Sequence, residues 1–414
     1  MKKLCSVLVI FAIAFFLCGF APKETTYFTL YYETEKIVVT EKMLSPAWHN
    51  YDSHRDFTKG KTVFERATTA TSISKDFPEI WQILKKIQGE INRPAFDGNI
   101  NFNPNREKKF WVTDARNGIE MDIGTASKEI LTALKTKTHA DIIIRTNEIP
   151  HKTEKQMLEK IGSRSQYSTR FDAGNQSRSN NIARSVACFN GLVLPPGEKL
   201  SYNRTVGPRT AERGYEEAKI IVDGEFVPGI GGGVCQTSTT LFNAAMLAGL
   251  TILKSQNHSL PISYVPLGRD AMVSSAVDLA LENNTGAPVY FETGIKNGNN
   301  VFVNIYGNKL GKKKYVPVTE VTEKPMEVEV VGNRPRDTEG YRKIILDSGV
   351  PARFVKTYIE TYDAGKLISK KLVRKSSYKG RTEILKFEKI PEEVVVITNP
   401  DESIQPLATH LQTH

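Results

Sequence analysis

Cys235 and His258 are the residues whose types and spacing most readily make a reaction centre. Cys235 follows Gly229-Ile230-Gly231-Gly232-Gly233, four glycines in five positions, and is followed by Gln236, Thr237, Ser238 and Thr239. Beyond these, Leu241, Ala244, Ala245 and Ala248 recur on one helical face, and Gly249 is a natural stop. Ser238 and Thr239 read as capping-type residues, so the pattern predicts a helix that starts at or just after Cys235. A thiol there meets unpaired N–H groups and the positive end of the helix dipole, which favour the thiolate. Glycines let a substrate approach the main chain and let N–H groups turn toward a developing oxyanion. The competing readings are a packed structural cysteine and a phosphate-cradling loop. The latter lacks the Lys-Ser/Thr ending of a P-loop.

A nucleophilic cysteine needs a base within reach and a third group to hold that base. Of the seven histidines, only His258 closely follows the cysteine helix, in Asn257-His258-Ser259-Leu260-Pro261, which reads as a strand entered from a turn. Cysteine at a helix start and histidine on the next strand is the papain-like order. Asp270 and Asp278 follow, and either can orient the imidazole; the reading favours Asp270. No CxxC or HxxH pair accompanies Cys235 and His258, so no metal and no cofactor is expected. The other cysteine of the body, Cys188, falls at the end of a predicted helix over Asn181–Asn190, where the dipole disfavours a thiolate.

These residues sit in a chain of 414 residues, enough for two or three domains. With 40% hydrophobic and 25% charged residues, it is neither collagen-like, fully disordered nor a polytopic membrane protein. Lys2 and Lys3 precede an uncharged apolar run from Leu4 to Phe20, the pattern of a secretory signal. Residues 1–21 are therefore expected to be a signal peptide or a membrane anchor. Phe16 and Leu17 before Cys18 are too bulky for a lipoprotein signal. Net charge is +10. On an exported chain that excess fits anionic wall polymers or a membrane face and argues against nucleic acid.

An N-terminal α+β region spans 22–165, with helical periodicity over Ser72–Ile91, strands at Phe110–Thr113 and Ala140–Arg145, and a helix over Ala126–Lys135. The central domain, 166–308, is mixed α/β and dense in glycine and proline. Lys309, Lys312, Lys313 and Lys314 mark a basic linker, 309–324. A small β module (325–389) and a tail (390–414) complete an α+β, multidomain chain. The central region is expected to carry the chemistry by itself.

Several motifs in order make the central region resemble the VanW family from Asn181 to Tyr306. They are Pro196-Gly197-Glu198-Lys199-Leu200-Ser201-Tyr202-Asn203, Val206-Gly207-Pro208-Arg209 with Glu212-Arg213-Gly214-Tyr215, Pro228 through Thr240, His258-Ser259-Leu260-Pro261, and Tyr264 through Asp270. Thr237 departs from the aliphatic residue common there. Residues about 68–147 resemble the peptidoglycan-binding domain often found upstream, and about 325–389 the small glycine-named wall-binding module that often follows. The resemblance implies a VanW-type L,D-transpeptidase of peptidoglycan, exported to the wall or the outer membrane face and tied to glycopeptide-resistance clusters. Cys235 would attack a stem peptide, His258 would shuttle the proton and Asp270 would orient it. Main-chain groups of Gly232, Gly233 and Gln236 would hold the oxyanion, and Arg209 and Arg213, beside Tyr215, would pair with stem carboxylates. The alternatives are an NlpC-like cysteine endopeptidase and a non-catalytic wall-binding protein.

Overall fold

The computed structural model describes residues 26–40, 43, 73–74, 77–136, 139–222 and 225–390. The apolar N-terminal run and the tail beyond 390 lie outside them. The chain divides into two compact units, one made of the N-terminal part through Leu158 without Phe102–Lys109, the other of Phe102–Lys109 and everything from Glu159 on.

The first unit holds β1 (Thr26–Tyr32), β2 (Glu35–Thr40), α1 (Pro78–Ile91), β3 (Asn99–Phe102), β4 (Phe110–Thr113), β5 (Gly118–Met121), α2 (Ile123–Thr136), β6 (Ala140–Ile143), β7 (Thr146–Ile149) and α3 (Glu154–Leu158). The three- and four-residue spacing of Ile80, Leu84, Ile87 and Ile91 puts one face of α1 into a core shared with Phe28, Leu30, Ile130 and Leu134.

The second unit begins with β8 (Ile161–Arg170), α4 (Gln176–Ala187), β9 (Val193–Leu194), β10 (Lys199–Ser201), α5 (Tyr202–Val206), β11 (Glu217–Val222) and β12 (Glu225–Ile230). It continues with α6 (Val234–Ala248), β13 (Thr251–Lys254), β14 (Ala280–Glu282), β15 (Val289–Lys296) and β16 (Asn300–Asn308). An antiparallel sheet of order β8-β16-β15-β9 is one wall. Alternate residues Val301, Val303 and Ile305 of β16 point into the core.

Against that sheet packs α6, apolar or small on nearly every side and buried almost throughout. A helix buried all round needs its polar groups matched. The Ser165 hydroxyl donates to the Ala244 carbonyl at 2.8 Å, and the hydroxyls of Thr169 and Thr240 meet at 2.8 Å. β11 and β12 form a separate two-stranded hairpin beside the start of α6.

The last strands are β17 (Lys313–Glu323), β18 (Val328–Val331), β19 (Tyr341–Asp347), β20 (Arg353–Asp363), β21 (Lys366–Tyr378) and β22 (Glu383–Lys389), in sheets β17-β20-β21 and β18-β22-β19. The segment expected as a basic linker, 309–324, is mostly β17, paired with β20 along its full length. Lysine-rich composition hid a strand in which Val316 and Val318 share one face. β17 also packs against α6, with the ring of Tyr315 tight on Gly249. Gly249 closes the helix at φ 77, a left-handed position suited to glycine.

Candidate active site

Cys235 is the second residue of α6, reached through a turn in which Gly231 (φ 85) and Gly233 (φ 104) are left-handed. A Cβ on Gly233 would press on Arg178, and one on Gly232 on the main chain of Ala218 and Lys219. The glycines are thus demanded by conformation and by close approach of α4 and the hairpin. The cap is Gly233, not Ser238 or Thr239. Those two are buried within the helix. The Ser238 hydroxyl donates to the Ala271 carbonyl at 2.6 Å, and the Ala271 N–H donates to the Thr239 hydroxyl at 2.9 Å. They fasten the loop carrying Asp270 to the helix carrying Cys235.

His258 lies in a loop beyond β13, not on a strand as expected. An isolated antiparallel bridge joins Gln256 to Met272. His258 is two residues past one partner and Asp270 two residues before the other, so the bridge sets them face to face. The His258 Nδ1 and main-chain N–H both lie 2.7 Å from Asp270 Oδ2. His258 is 5% exposed and Asp270 1%. Asp278 is placed elsewhere: its carboxylate accepts from the Ser201 hydroxyl at 2.5 Å and the Asn203 N–H at 2.9 Å.

The His258 side chain lies beside the Cys235 sulfur and acts on it through hydrogen bonding and charge, and the Val273 N–H points to it at 3.5 Å. Burial pushes the Cys235 thiol up, but the hydrogen bond and charge of His258, the Val273 N–H and Arg209 outweigh it, so the pKa is lowered. Burial alone would lower His258; hydrogen bonds to Asp270 and Cys235 instead raise it to about 9. Asp270, opposed by burial, is lowered by its bonds from His258 and Tyr378. The arrangement favours a thiolate–imidazolium pair steadied by a carboxylate.

Asp270 is held by residues that the sequence did not single out. The Tyr378 hydroxyl donates to Asp270 Oδ1 at 2.6 Å, and Arg374 Nη2 lies 3.6 Å from the same oxygen. Both belong to β21, over a hundred residues away, where they read as ordinary strand residues. Only their burial in the folded chain sets them apart.

Cys235 and His258 open onto a cleft of about 790 Å³. Arg178, Arg209, Lys219, Phe226, Ile230, Tyr264 and the Gly231–Gly233 turn are among its lining, which among the described residues includes no aspartate or glutamate. Arg178 and Lys219 carried no signal in the sequence beyond their types, and Tyr264 entered it only as the start of the motif Tyr264 through Asp270. Arg213 does not line the cleft; its Nη1 donates to the Pro208 carbonyl at 2.8 Å, on an exposed 3-10 turn. Tyr215 is buried in the core instead.

The Gln236 N–H is bonded to the Gly233 carbonyl at 2.9 Å. Its side chain is buried, donating to the Arg170 carbonyl at 2.8 Å and accepting from Arg178 at 2.6 Å. Cys188 caps α4 at its C-terminal end, exposed, with its thiol toward the Arg184 carbonyl at 3.3 Å. Among the described residues no group of three or more His, Cys, Asp or Glu could hold a metal, and no helix is long and apolar enough to cross a membrane.

Residues 177–306 match the family model described as "VanW like protein". The chain is 39% identical over 160 residues to "Uncharacterized protein YoaR" of Bacillus subtilis, covering 38% of this chain and 52% of that protein. It is 31% identical over 111 residues to "Vancomycin B-type resistance protein VanW" of Enterococcus faecalis, covering 25% of this chain and 40% of that one. The chain thus spans about half, or less, of the length of these curated relatives. Among solved structures, "Crystal structure of HP0197-G5" aligns with 18% of this chain and 95% of its own, at 17% identity and a TM-score of 0.13. The segment from α4 through most of β16, which carries Cys235, His258 and Asp270, is thus the part of the chain that matches the VanW family model.

Proposed function

We propose that the protein is an exported cell-wall enzyme, an L,D-transpeptidase that forms 3→3 cross-links between peptidoglycan stems. One observation carries this reading: the Cys235 sulfur, beside an Asp270-held His258, opens onto a cleft where Arg178, Arg209 and Lys219 stand and where, among the described residues, no carboxylate does. Such a cleft suits an acyl donor rich in carboxylates, as a stem peptide is. The name of one relative, a vancomycin resistance protein, agrees with a wall setting.

In the reaction the Cys235 thiolate attacks the carbonyl carbon of the residue before the terminal D-Ala. The oxyanion is held at the helix start, where first-turn N–H groups have no intrahelical acceptor. Those of Val234 and Gln236 are bonded within the turn, which leaves Gly233 and Cys235 for this role. The C–N bond breaks, and D-Ala leaves with the proton of the His258 imidazolium. A thioester remains. Neutral His258 then takes a proton from the acceptor amine as that amine attacks, the new amide forms, and the thiolate–imidazolium pair is restored. Arg209 and Arg178 would pair with donor carboxylates. Residues about 68–147 would hold wall polymer and raise the local substrate concentration.

The test is incubation of the protein with a stem tetrapeptide, with masses of all products recorded. Cross-linked dimers plus free D-Ala support the reading. Tripeptide with no dimer would make water the acceptor and the enzyme a hydrolase. No release of D-Ala would leave a binding protein.

A further inference from the structure

The family-matched segment ends at Tyr306, yet the third member of its site is finished from outside it. Asp270 is a carboxylate buried to 1% exposure, and such a group must have every oxygen matched. Its Oδ2 takes both bonds from His258, and its Oδ1 takes the Tyr378 hydroxyl. That hydroxyl is fixed in turn, because it accepts from the Gly268 N–H at 2.8 Å while donating to Asp270. Arg374 donates to the main-chain carbonyls of Asp270 at 2.7 Å and Gly268 at 3.1 Å. It also lies over the ring of Phe242 in α6, 5.2 Å from the centroid. One guanidinium therefore touches the loop of the carboxylate and the helix of the cysteine. Gly268, at φ 78, is pressed so closely on Val355 and Thr357 of β20 that no side chain fits there. The Thr357 hydroxyl donates to its carbonyl at 2.8 Å.

We infer that sheet β17-β20-β21 is part of the catalytic apparatus, with Tyr378 and Arg374 as positioning residues that fix Asp270 and through it His258. The inference rests on the proposed role of Cys235 as nucleophile. It replaces the expectation that residues 166–308 suffice for the chemistry, and it gives the C-terminal β region a task besides wall binding. The buried line Cys235, His258, Asp270, Arg374 alternates thiolate, imidazolium, carboxylate and guanidinium. Removing the far end loosens each charge before it. The charged and titratable groups facing this line are His258, Tyr378 and Arg374 around Asp270, and Arg209, Arg178, Tyr202 and Tyr264 around Cys235.

The experiment uses the full chain with Tyr378→Phe, Arg374→Lys and, as control, Tyr362→Phe. Tyr362 sits on the neighbouring strand of the same sheet and bonds only its own strand's Glu360. The first readout is the pH profile of Cys235 alkylation by iodoacetamide, mapped by peptide mass to exclude Cys188. The second is kcat and KM on a stem tetrapeptide. Tyr378→Phe should move the alkylation midpoint up toward that of an ordinary thiol and lower kcat about tenfold with KM held, as expected on losing one hydrogen bond to a charge. Tyr362→Phe should follow the wild type. A folded Tyr378→Phe protein with wild-type profile and kcat overturns the inference, as does an equal shift in Tyr362→Phe. If Arg374→Lys does not fold, Tyr378→Phe, which only removes an oxygen, still decides. Should the wild type make no cross-links, the reaction assignment fails while alkylation still tests the positioning.

Discussion

At Cys235, burial raises the thiol pKa and the neighbouring imidazolium lowers it, and the imidazolium prevails. Cys188 has no imidazole beside it; partial desolvation of its sulfur outweighs the pull of Arg213 and raises its thiol, and it ends a helix. Near pH 6.5 alkylation should therefore mark Cys235 well ahead of Cys188. Cys235→Ala should abolish acyl transfer while Cys188→Ala leaves it intact. Equal loss from both folded variants would point to a shared structural role instead. His258→Ala should lower kcat by roughly 10²–10⁴-fold and move Cys235 alkylation to higher pH. The folded value of His258, about 9, lies above its ordinary 6.5, so its protonated form stabilises the fold. That contribution is complete below pH 6.5 and is lost as pH rises through about 9. Over the same limb kcat/KM should fall, because a neutral imidazole has no proton for the leaving amine; a flat profile to pH 10 would contradict this. That Cys235 and His258 could form a pair was legible from residue type and order. Which carboxylate faces His258 was a choice between Asp270 and Asp278, and the Gln256–Met272 bridge brings Asp270 there.

Among the elements, α6 could be read from its apolar spacing and closing glycine, but its start was misjudged in kind. Ser238 and Thr239 look like capping residues because hydroxyls favour helix ends. Here they face Ala271 across a packed interface, and a glycine with positive φ takes the cap. Replacing Gly233 with alanine should cost about 1–3 kcal/mol through backbone strain and contact with Arg178, measured by chemical denaturation. A neutral result would mean that the turn can relax. Hairpin β11-β12 exposes Phe226, 64% accessible, on the side that lines the cleft. Phe226→Ala should leave stability within about 0.5 kcal/mol and raise KM for stem peptides; unchanged KM would remove the hairpin from substrate binding. Strand positions such as Phe110–Thr113 were recovered from composition. β17 was missed because its lysines read as a solvated linker, although Tyr315, Val316 and Val318 just beyond them are partly buried.

For the whole molecule, the sequence divides by composition, whereas the chemistry divides by contact. The boundary drawn after residue 308 follows a shift to basic residues, but α6, the Asp270 loop and β21 close over one buried cluster. Pairing across more than a hundred residues leaves no local periodicity to read, so Tyr378 and Arg374 could not be found from the chain alone. Lys312, Lys313 and Lys314 stay exposed at the start of the β17 region. Neutralising them with Gln should weaken binding of the full chain to purified sacculi at low salt and matter little at high salt, as pull-down across a salt series would show. Equal binding throughout would assign wall attachment elsewhere. The central claim is that Cys235 becomes acylated by a stem peptide. Intact-mass measurement after brief mixing with a stem tetrapeptide, without acceptor, tests it directly. The account predicts an adduct equal to the tetrapeptide less D-alanine on the wild type and none on Cys235→Ala; an adduct that persists in Cys235→Ala, or a wild type that stays unmodified while D-alanine is released, would contradict it.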